Sequence, residues 1–322
     1  MKDVVALGEL LVDFACQSVD VSGYPTMEAH PGGAPANFLA TLTKMGAKTA
    51  MIGKVGDDAF GSLLLDTLRD VGVETRGMLV SDKVFTTLAF VTFDKDGERH
   101  FSFARKPGAD TQLCKEEISK ELIDATRAFH FGTLSLTCEP IKTATQFAVA
   151  YAKKQGKLIT YDPNLRKPLW DNLEDAKEQM LWGLHQADVV KVSDEECEFL
   201  FGPASPELAA RKILDEFDCK LVFVTLGKNG CVFANRNASG TVQGMTGLNV
   251  VDTTGAGDIF GGAAVWKILQ SGKDPTELKE SELRQIAHFA CVAAGLSTET
   301  AGGISSIPSL TVVNDYVVRD LK

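Results

Sequence analysis

The distribution of apolar residues beyond residue 127 predicts strands that alternate with helices. Short, mainly apolar runs typical of buried strands occupy residues 128–131, 158–161, 189–192 and 221–225. Apolar residues recur at helical spacing over residues 141–154, 176–185, 195–201 and 207–217. This alternation indicates βαβ units, and therefore an α/β fold whose mostly parallel sheet is covered by helices on both faces.

The first hundred residues add further elements to this core. We expect buried strands over residues 4–7 and 49–53. We expect helices over residues 36–45 and 62–71. Residues 84–93 and 99–103 flank Lys95-Asp96-Gly97, a turn sequence that strongly indicates a hairpin. Together with residues 12–21, these two strands predict a small second sheet outside the main one.

Composition and charge narrow the possible function classes. The chain has 322 residues, 44% of them hydrophobic, which is enough for a substantial core in one α/β domain. Its net charge of −10 argues against a nucleic-acid or anionic-membrane binder, so a bound polyphosphate would depend on N–H groups, a metal and a few cations. The scattered cysteines, the absence of a signal peptide and the lack of a long apolar run predict a cytoplasmic protein with reduced thiols.

The most specific motif is Asp-Thr-Thr-Gly-Ala-Gly-Asp at residues 252–258, which follows β-branched residues and precedes an apolar helical pattern. A glycine turn that opens a helix directs N–H groups outward toward an anion, so Gly255, Ala256 and Gly257 predict an anion site. The carboxylate of Asp258 does not suit a passive anion site, but it suits a base that deprotonates the group attacking a phosphate. The alternative is that the glycines only shape a turn and Asp258 only caps a helix.

Two features near the N-terminus suit a polyhydroxylated ligand. Asp13 is expected near a strand end, where ligands bind in open α/β sheets and where a carboxylate can accept two sugar hydroxyls. Gly32 and Gly33 allow close approach of the backbone to a ligand, and Asn37 lies in the first turn of the next helix. The alternatives are a surface-turn aspartate for Asp13 and a loop before a capped helix for the other residues.

Both motifs resemble the signatures of the ribokinase-like, or phosphofructokinase B-type, carbohydrate kinases, and Gly-Gly-Ala-Pro-Ala-Asn at residues 32–37 is especially similar to fructokinases. The resemblance covers nearly the whole chain. It implies a ribokinase-like three-layer sandwich in a single kinase domain of residues 1–322, with a small β-sheet lid from about residues 12–30 and 84–104. In this family the lid covers the sugar and often joins two subunits, which predicts a homodimer.

The resemblance also assigns roles to the two motifs. The amides of residues 255–257 would hold the charge on the transferring phosphoryl group, while Asp258 accepts the proton of the sugar hydroxyl. The N-terminal residues Asp13, Gly33 and Asn37 would fix the sugar. ATP is then the phosphoryl donor, and Mg²⁺ bridges its β and γ oxygens.

Three residues, Glu196, Asp252 and Thr254, are expected near metal ions. Residues 191–196 resemble the family's Asn-x-x-Glu region, in which Glu196 would organise Mg²⁺ through water and Ser193 replaces the asparagine beside ATP. The alternative is a helix start, because Ser193 and Glu196 have the spacing of a capping box. Asp252 and Thr254 match residues that surround a monovalent cation in the family, which predicts a potassium site.

A second nucleotide segment is expected at residues 224–231. This strand–loop–strand sequence resembles the family's nucleotide loop, in which threonine and glycine flank the ribose and phosphates of ATP. A plain hairpin is the alternative. The residues that would line this part of the site are Thr225, Gly227 and Gly230.

Two arginines are candidate ligands for the sugar or a phosphate. Residues 101–110 resemble the fructokinase pattern Phe-Arg-x-Pro-Ser-Ala-Asp, which makes Arg105 a candidate contact; a solvated lid arginine is the alternative. Residues 161–166 resemble the Asp-Pro-Asn-x-Arg segment of the family, in which Arg166 would contact the substrate and Asp162 the polar shell near the metal. A mutual ion pair of Asp162 and Arg166 is the alternative.

The function expected from this resemblance is ATP-dependent phosphorylation of a sugar primary hydroxyl, with D-fructose converted to fructose 6-phosphate. A 2-keto-3-deoxygluconate kinase, or another sugar or nucleoside kinase, is the close rival. A nicotinamide-dependent dehydrogenase is a second class, because Gly255, Gly257 and Gly261 loosely mimic a dinucleotide turn. A catalytically inactive sugar-binding regulator is a third class, although the intact Asp258 argues against it. The expected partners are a small sugar and ATP, without nucleic acid or membrane.

Overall fold

The chain forms two β-sheets, of nine and four strands, in this computed structural model, which describes residues 1–93 and 99–319. In chain order the strands are β1 (Lys2–Leu7), β2 (Leu11–Val19), β3 (Pro25–Gly32), β4 (Thr49–Gly56), β5 (Glu74–Ser81), β6 (Leu88–Phe93), β7 (Arg99–Ala104), β8 (Thr126–Gly132), β9 (Leu158–Asp162), β10 (Val189–Ser193), β11 (Leu221–Thr225), β12 (Cys231–Asn235) and β13 (Ser239–Val242).

The larger sheet has the strand order β13-β12-β11-β10-β9-β8-β1-β4-β5. The strands from β11 to β5 pair in parallel, whereas β12 and β13 pair antiparallel to their neighbours. The expected mostly parallel sheet is therefore confirmed. Because parallel strands end at the same edge, the segments that follow β1, β8, β9 and β10 emerge side by side.

Helices cover both faces of this sheet. In the described part of the chain they are α1 (Ala34–Lys44), α2 (Ala59–Val71), α3 (Lys120–Asp124), α4 (Ile141–Lys154), α5 (Leu173–Gln186), α6 (Asp194–Phe201), α7 (Pro206–Phe217), α8 (Ala256–Ser271), α9 (Glu280–Ser297) and α10 (Leu310–Arg319). Short 3₁₀ turns at Ala109–Gln112, Lys115–Glu117, Leu134–Leu136, Lys167–Leu169, Gly227–Asn229 and Pro275–Glu277 complete the connections.

The two faces of the sheet have separate hydrophobic cores. In β1, Val4 and Ala6 pack into the core shared with α1, α8 and α9, whereas Val5 and Leu7 pack into the core shared with α4, α5 and α7. This division follows from the alternation of side chains along a strand, which sends successive residues to opposite faces. The three-layer sandwich expected from the sequence is confirmed.

The small sheet has the strand order β3-β2-β6-β7. Strand β2 pairs antiparallel with β3 and parallel with β6, and β6 pairs antiparallel with β7. These pairings confirm the expected second sheet and its hairpin, whose turn at Lys95-Asp96-Gly97 lies outside the described residues. Strand β6 begins at Leu88 rather than at residue 84, because Thr86 bonds instead to Gly56 and to the helix-capping carboxylate of Asp58.

Several elements differ from the sequence expectations. Strands β3, β5 and β13 and helices α3 and α10 have no counterpart in the prediction, and β5 and β13 lie at the edges of the central sheet. Val250 and Val251 are exposed in a loop despite their β-branched side chains, because no neighbouring strand pairs with them there. The described helices include none that is both long and apolar enough to cross a membrane.

Candidate active site

The start of helix α8 lies against helix α1, at the carboxyl edge of the sheet. Gly255 occupies its N-cap with φ of 77°, a left-handed conformation that favours glycine. The first N–H to O=C bond of the helix runs from Ile259 to Gly255, so the preceding amides stand at the positive end of the helix dipole. Among the three predicted anion-site amides, that of Ala256 already donates to Thr253 O at 3.3 Å.

Asp258 lies buried in the first turn of α8. Its Oδ2 accepts a hydrogen bond of 2.9 Å from Asn37 Nδ2, and its Oδ1 accepts one of 3.0 Å from Asn164 Nδ2. The alternative of a simple helix cap is wrong, because both oxygens bond side-chain amides and no side chain caps this helix. Burial raises the pKa of Asp258, and the Asn37 bond and the charges of Lys191 and Arg166 partly offset this. A raised pKa makes the carboxylate a stronger proton acceptor.

Asp13 lies near Asp258 and Arg166, and these three residues form the charged group of the site. In sequence, Asp13 is 245 residues away from Asp258. It lies in β2 rather than in a surface turn, and a Cβ on Gly32 would stand 2.8 Å from its Oδ2. Burial raises the pKa of Asp13 to about 7; Arg166 opposes this, while Asp258 and Asp252 add to it. The structure thus brings Asp13, Asp258 and Arg166 within electrostatic reach of one another.

Gly33 has a structural role at the start of α1. Its φ is 116°, and a Cβ there would approach Glu9 O to 2.5 Å, so a larger residue would displace the backbone. Its carbonyl accepts the N–H of Asn37 at 2.9 Å, which helps to place the amide that bonds Asp258. A ligand contact for Gly33 stays a prediction.

The loop before α8 is tied to the loop after α9. Asp252 Oδ1 accepts bonds from Thr254 N and Oγ1 at 3.0 and 2.8 Å, and its Oδ2 accepts one from Gly302 N at 3.0 Å. The N–H groups of Val251 and Asp252 both donate to Thr298 O. These contacts shape the turn that presents Gly255, and the potassium role of Asp252 and Thr254 stays a prediction.

Ser193 and Glu196 form the capping box that was the structural alternative. Ser193 Oγ accepts from Glu196 N at 3.1 Å, and Glu196 Oε2 accepts from Ser193 N at 2.8 Å. The other oxygen, Oε1, accepts from Leu165 N at 2.7 Å and so fixes the loop after β9. Both oxygens of Glu196 therefore have backbone partners, and its contact with water-bound Mg²⁺ stays a prediction.

The predicted nucleotide loop has the geometry of a hairpin between β11 and β12. Gly227 and Gly230 have φ of 53° and 95°, and a Cβ on Gly230 would stand 2.0 Å from Val242 O. Thr225 pairs with Ser193 in the sheet, so the hairpin lies beside the start of α6. The loop lies at the carboxyl edge of the sheet, and its contacts with ATP stay a prediction.

The two predicted arginine ligands are in different surroundings. Arg105 is buried and pairs with Asp110 at 2.8 Å; it also donates to Thr137 Oγ1 and Leu134 O, so the alternative of a solvated arginine is wrong. All three guanidinium nitrogens of Arg105 therefore have protein partners. Arg166 donates only a long bond of 3.3 Å to Leu165 O among the described contacts. It remains close enough to Asp13 and Asp258 to influence the pKa of both.

Asp162 pairs with Lys191 rather than with Arg166, so the alternative of a mutual Asp162–Arg166 ion pair is wrong. Lys191 Nζ lies 3.0 Å from Asp162 Oδ2, and both side chains are nearly buried. Burial raises the pKa of Asp162 to about 7, and the charge of Lys191 opposes this rise. Asp162 Oδ1 has no hydrogen-bond partner among the described residues.

Sequence reasoning missed two members of this group, Asn164 and Lys191. Asn164 adopts φ of 47°, a left-handed conformation that asparagine tolerates, and this turn aims its amide at Asp258. Its position after Asp162-Pro163 in a strand-end loop was the available signal. The signal for Lys191 was a single cation inside the apolar run Val-Val-Lys-Val of β10.

Comparisons with known proteins identify the family to which this sequence is similar. The sequence pattern described as pfkB family carbohydrate kinase matches residues 1–310. Among curated proteins, the chain is 41% identical to fructokinase-2 of Solanum lycopersicum over 95% of this chain and 93% of that protein. It is 42% identical to fructokinase-1 of Zea mays over 95% of this chain and 94% of that protein.

Solved structures give the same relationship at 28% identity. A fructokinase from Xylella fastidiosa with bound ATP superposes with a TM-score of 0.91 over 100% of both chains. A putative ribokinase II from E. coli in complex with ATP and Mg²⁺ gives 0.87 over 99% of this chain and 100% of that one. A double mutant of the Vibrio cholerae fructokinase, in a form with bound fructose, ADP and potassium ion, gives 0.86 over 98% of each chain.

Proposed function

Because this chain belongs to the pfkB family of carbohydrate kinases, we propose that it transfers the γ-phosphoryl group of ATP to the primary hydroxyl of D-fructose. The observation that carries the proposal is the position of Asp258 at the start of α8, with both oxygens held by the amides of Asn37 and Asn164. The product is fructose 6-phosphate. Identity of about 40% with plant fructokinases over most of the chain supports this choice of sugar.

The chemistry requires a base and an anion site in one place. A sugar hydroxyl is a poor nucleophile at neutral pH, and Asp258, whose pKa is raised by burial, accepts its proton as the phosphoryl group transfers. The amides at Gly255 and Gly257, at the positive end of the α8 dipole, stabilise the negative charge on that group. Asp13 and Asn37 border this position, which suits contacts with the other sugar hydroxyls.

The acidic side chains around Asp258 also suit a magnesium ion carried by the nucleotide. Asp162 Oδ1 lacks a hydrogen-bond partner, and Asp162, Glu196 and Asp258 influence one another electrostatically. Magnesium ions bound with nucleotides usually keep water and phosphate ligands and take only one or two carboxylates from the protein. Bound there, Mg²⁺ supplies neutralisation of charge on the β and γ phosphates. Near Asp252 and Thr254 we propose a potassium site.

A 2-keto-3-deoxygluconate kinase is the second candidate, because it would need a cation for the substrate carboxylate. Asp110, Thr137 and Leu134 engage Arg105, which could therefore meet a substrate carboxylate only by losing these partners. The dehydrogenase alternative is wrong, since the chain belongs to a kinase family over residues 1–310.

Steady-state kinetics with ATP and a panel of sugars tests the proposal directly. We expect the highest kcat/KM for D-fructose, with 2-keto-3-deoxygluconate, ribose and adenosine as the comparison substrates. Analysis of the product should locate the phosphate on the primary hydroxyl. A higher kcat/KM for 2-keto-3-deoxygluconate than for fructose would replace the first candidate by the second.

The small sheet supports a further proposal of a lid and a homodimer in the cytoplasm. Val19, Val21 and Tyr24, at the end of β2 and in its turn to β3, expose apolar surface that a second subunit would cover. Sedimentation velocity of the wild type and of Val21→Asp checks this: we expect a dimer that the substitution weakens. A wild-type monomer at micromolar concentration would contradict it.

A further inference from the structure

Lys191 lies inside β10 and reaches the turn that opens α8. Its side chain is on the same face of the sheet as Val189, which packs into the core shared with α1 and α8. Its Nζ lies 3.0 Å from Asp162 Oδ2, and a Cβ added to Gly257 would stand only 2.9 Å from that nitrogen. The ammonium therefore lies directly against the glycine of the proposed anion site.

A small cavity is lined by both Lys191 and the proposed base. Its lining includes Lys191, Asp162, Asp258, His130 and Phe38, and its volume is about 20 Å³, which corresponds to one water molecule. The cavity therefore places Lys191 and Asp258 on the walls of one space. The single hydrogen bond that the structure records for Nζ in the described part of the chain is the one to Asp162, whereas an ammonium has three N–H donors.

The electrostatic surroundings keep Lys191 charged. Burial opposes the charge, but Asp162, Glu196 and Asp258 together raise the pKa of Lys191 above its usual value. His130, which faces the same cavity, is buried with a pKa lowered to about 3, so it adds no positive charge at neutral pH. Lys191 is thus a cation placed directly against Gly257, whereas Arg105 is engaged by Asp110 and Arg166 donates to Leu165 O.

We propose that Lys191 is a further catalytic residue, whose ammonium contacts an oxygen of the transferring γ-phosphoryl group beside Gly257 and stabilises the transition state. Asp162 holds the ammonium in place before the nucleotide binds. Lys191 stays protonated throughout, because the proton of the sugar hydroxyl goes to Asp258. This inference rests on the proposed phosphoryl transfer to fructose, and a cation placed by the protein fits a chain whose net charge is −10.

The experiment compares Lys191→Met with the double variant Lys191→Met/Asp162→Asn and with Lys54→Met. The double variant is needed because the single change leaves the Asp162 carboxylate buried without a partner, which destabilises the fold. Lys54 is the matched control: it is a buried lysine with an ion pair to Glu117 at 2.7 Å, outside the charged group at Asp258. For each protein we would measure Tm, kcat and the KM for fructose and for ATP.

We expect kcat to fall by about 10²-fold in both Lys191 variants, with the KM for fructose changed less than about threefold. The Lys54 variant should lose Tm but keep its kcat. If the double variant recovers wild-type kcat, or if folded Lys191→Met is as active as the wild type, Lys191 has only a structural role and the proposal is wrong. Wild-type turnover of fructose in the same assay tests the proposed function separately.

A second readout measures affinity for a mimic of the transferring group. ADP with aluminium fluoride and fructose resembles the transition state, whereas ADP alone lacks the γ position. In the double variant, compared with Asp162→Asn alone, we expect binding of the fluoride complex to weaken by about 10²-fold while binding of ADP alone changes less than about threefold. Equal losses for both ligands would overturn the proposed contact with the γ-phosphoryl group.

Discussion

The two edges of the central sheet differ in how well their charged side chains are paired. At the carboxyl edge, Asp13, Asp162 and Asp258 are carboxylates whose pKa values are raised by burial, and Asp162 Oδ1 has no partner among the described residues. Of the three, Asp162 forms an ion pair, with Lys191. The carboxyl edge therefore holds buried carboxylates whose ionised forms are disfavoured by burial.

At the opposite edge, an open cleft of about 520 Å³ is lined by cations that have hydrogen-bond or ion-pair partners in the protein. The cationic residues are Arg127, Lys153, Lys157, Lys220 and Lys273. Arg127 bonds Leu269 O and Lys157 bonds Asp124 O, both near helix C-termini, where the helix dipole favours a positive charge. Lys220 contacts Asp188 at 3.4 Å and Asp274 at 2.9 Å.

The difference separates function from stability in this fold. Polar groups at the opposite edge of the sheet form hydrogen bonds and ion pairs with other protein groups, as expected for residues that only hold the structure together. The carboxyl edge retains buried charge at a cost in stability, which is the usual compromise where a site must act on a ligand. Substitutions at the two edges should therefore affect different quantities, and the following predictions test that division in order of expected effect.

The largest effect is expected for Asp258→Asn. Loss of the base should lower kcat by about 10²–10⁴-fold while the affinity for ATP, measured by calorimetry, changes little. Asp188→Asn at the opposite edge is the control, and it should reduce Tm without changing kcat. If Asp258→Asn keeps more than about a tenth of wild-type kcat, a different base must act.

The next effect is expected for Asn164→Gly. Glycine tolerates the φ of 47° at this position, so the turn should persist while the hydrogen bond to Asp258 Oδ1 is lost. A carboxylate that loses a donor has a higher pKa, so we expect kcat at pH 7 to fall by about tenfold and the acidic limb of the pH–rate profile to move to higher pH. A lower kcat with an unmoved acidic limb would mean that Asn164 acts only on substrate position.

The buried charge of Asp13 should appear as a pH-dependent stability. Its pKa rises from 3.8 to about 7 on folding, so the folded state binds the proton more tightly, and stability falls as pH rises from about 4 to about 7. We expect Asp13→Asn to raise Tm by about 2–4 °C at pH 8 and by much less at pH 4, as measured by calorimetry. An equal change in Tm at both pH values would show that the charge of Asp13 is not responsible.

The smallest effect is expected at the opposite edge, for Lys220→Met. This lysine is partly exposed between Asp188 and Asp274, and exposed ion pairs contribute about 0.2–1 kcal/mol each. Tm should therefore fall by about 1–3 °C, with less of a difference at high salt, and kcat should stay unchanged. A clear decrease in kcat would break the division between the two edges.

Much of the fold and part of the site were predictable because the relevant information is local. The strands β8 to β11 and the helices between them follow from apolar periodicity, which reflects burial on one or both faces. The string at residues 252–258 identified the start of α8, because a glycine turn, exposed amides and a nearby carboxylate lie within one short segment.

The edges of the sheets were harder to predict from the sequence. Strand β5 contains Glu74, Arg76 and Gly77, so its own preference for a strand is weak, and the neighbouring β4 supplies the pairing that makes it one. Val250 and Val251 show the reverse case, since β-branched side chains favour a strand but find no partner strand in the loop.

The sequence by itself determined the layers of the fold and the local parts of the site, the glycine turn and Asp258. Only the tertiary structure decided that Asn164 and Asn37 hold that carboxylate, that Lys191 pairs with Asp162, and that Arg105 is occupied elsewhere. Hydrogen bonds and ion pairs depend on distances of about 3 Å between side chains from different elements. Those distances arise only when parallel strands bring segments far apart in the chain to the same edge of one sheet.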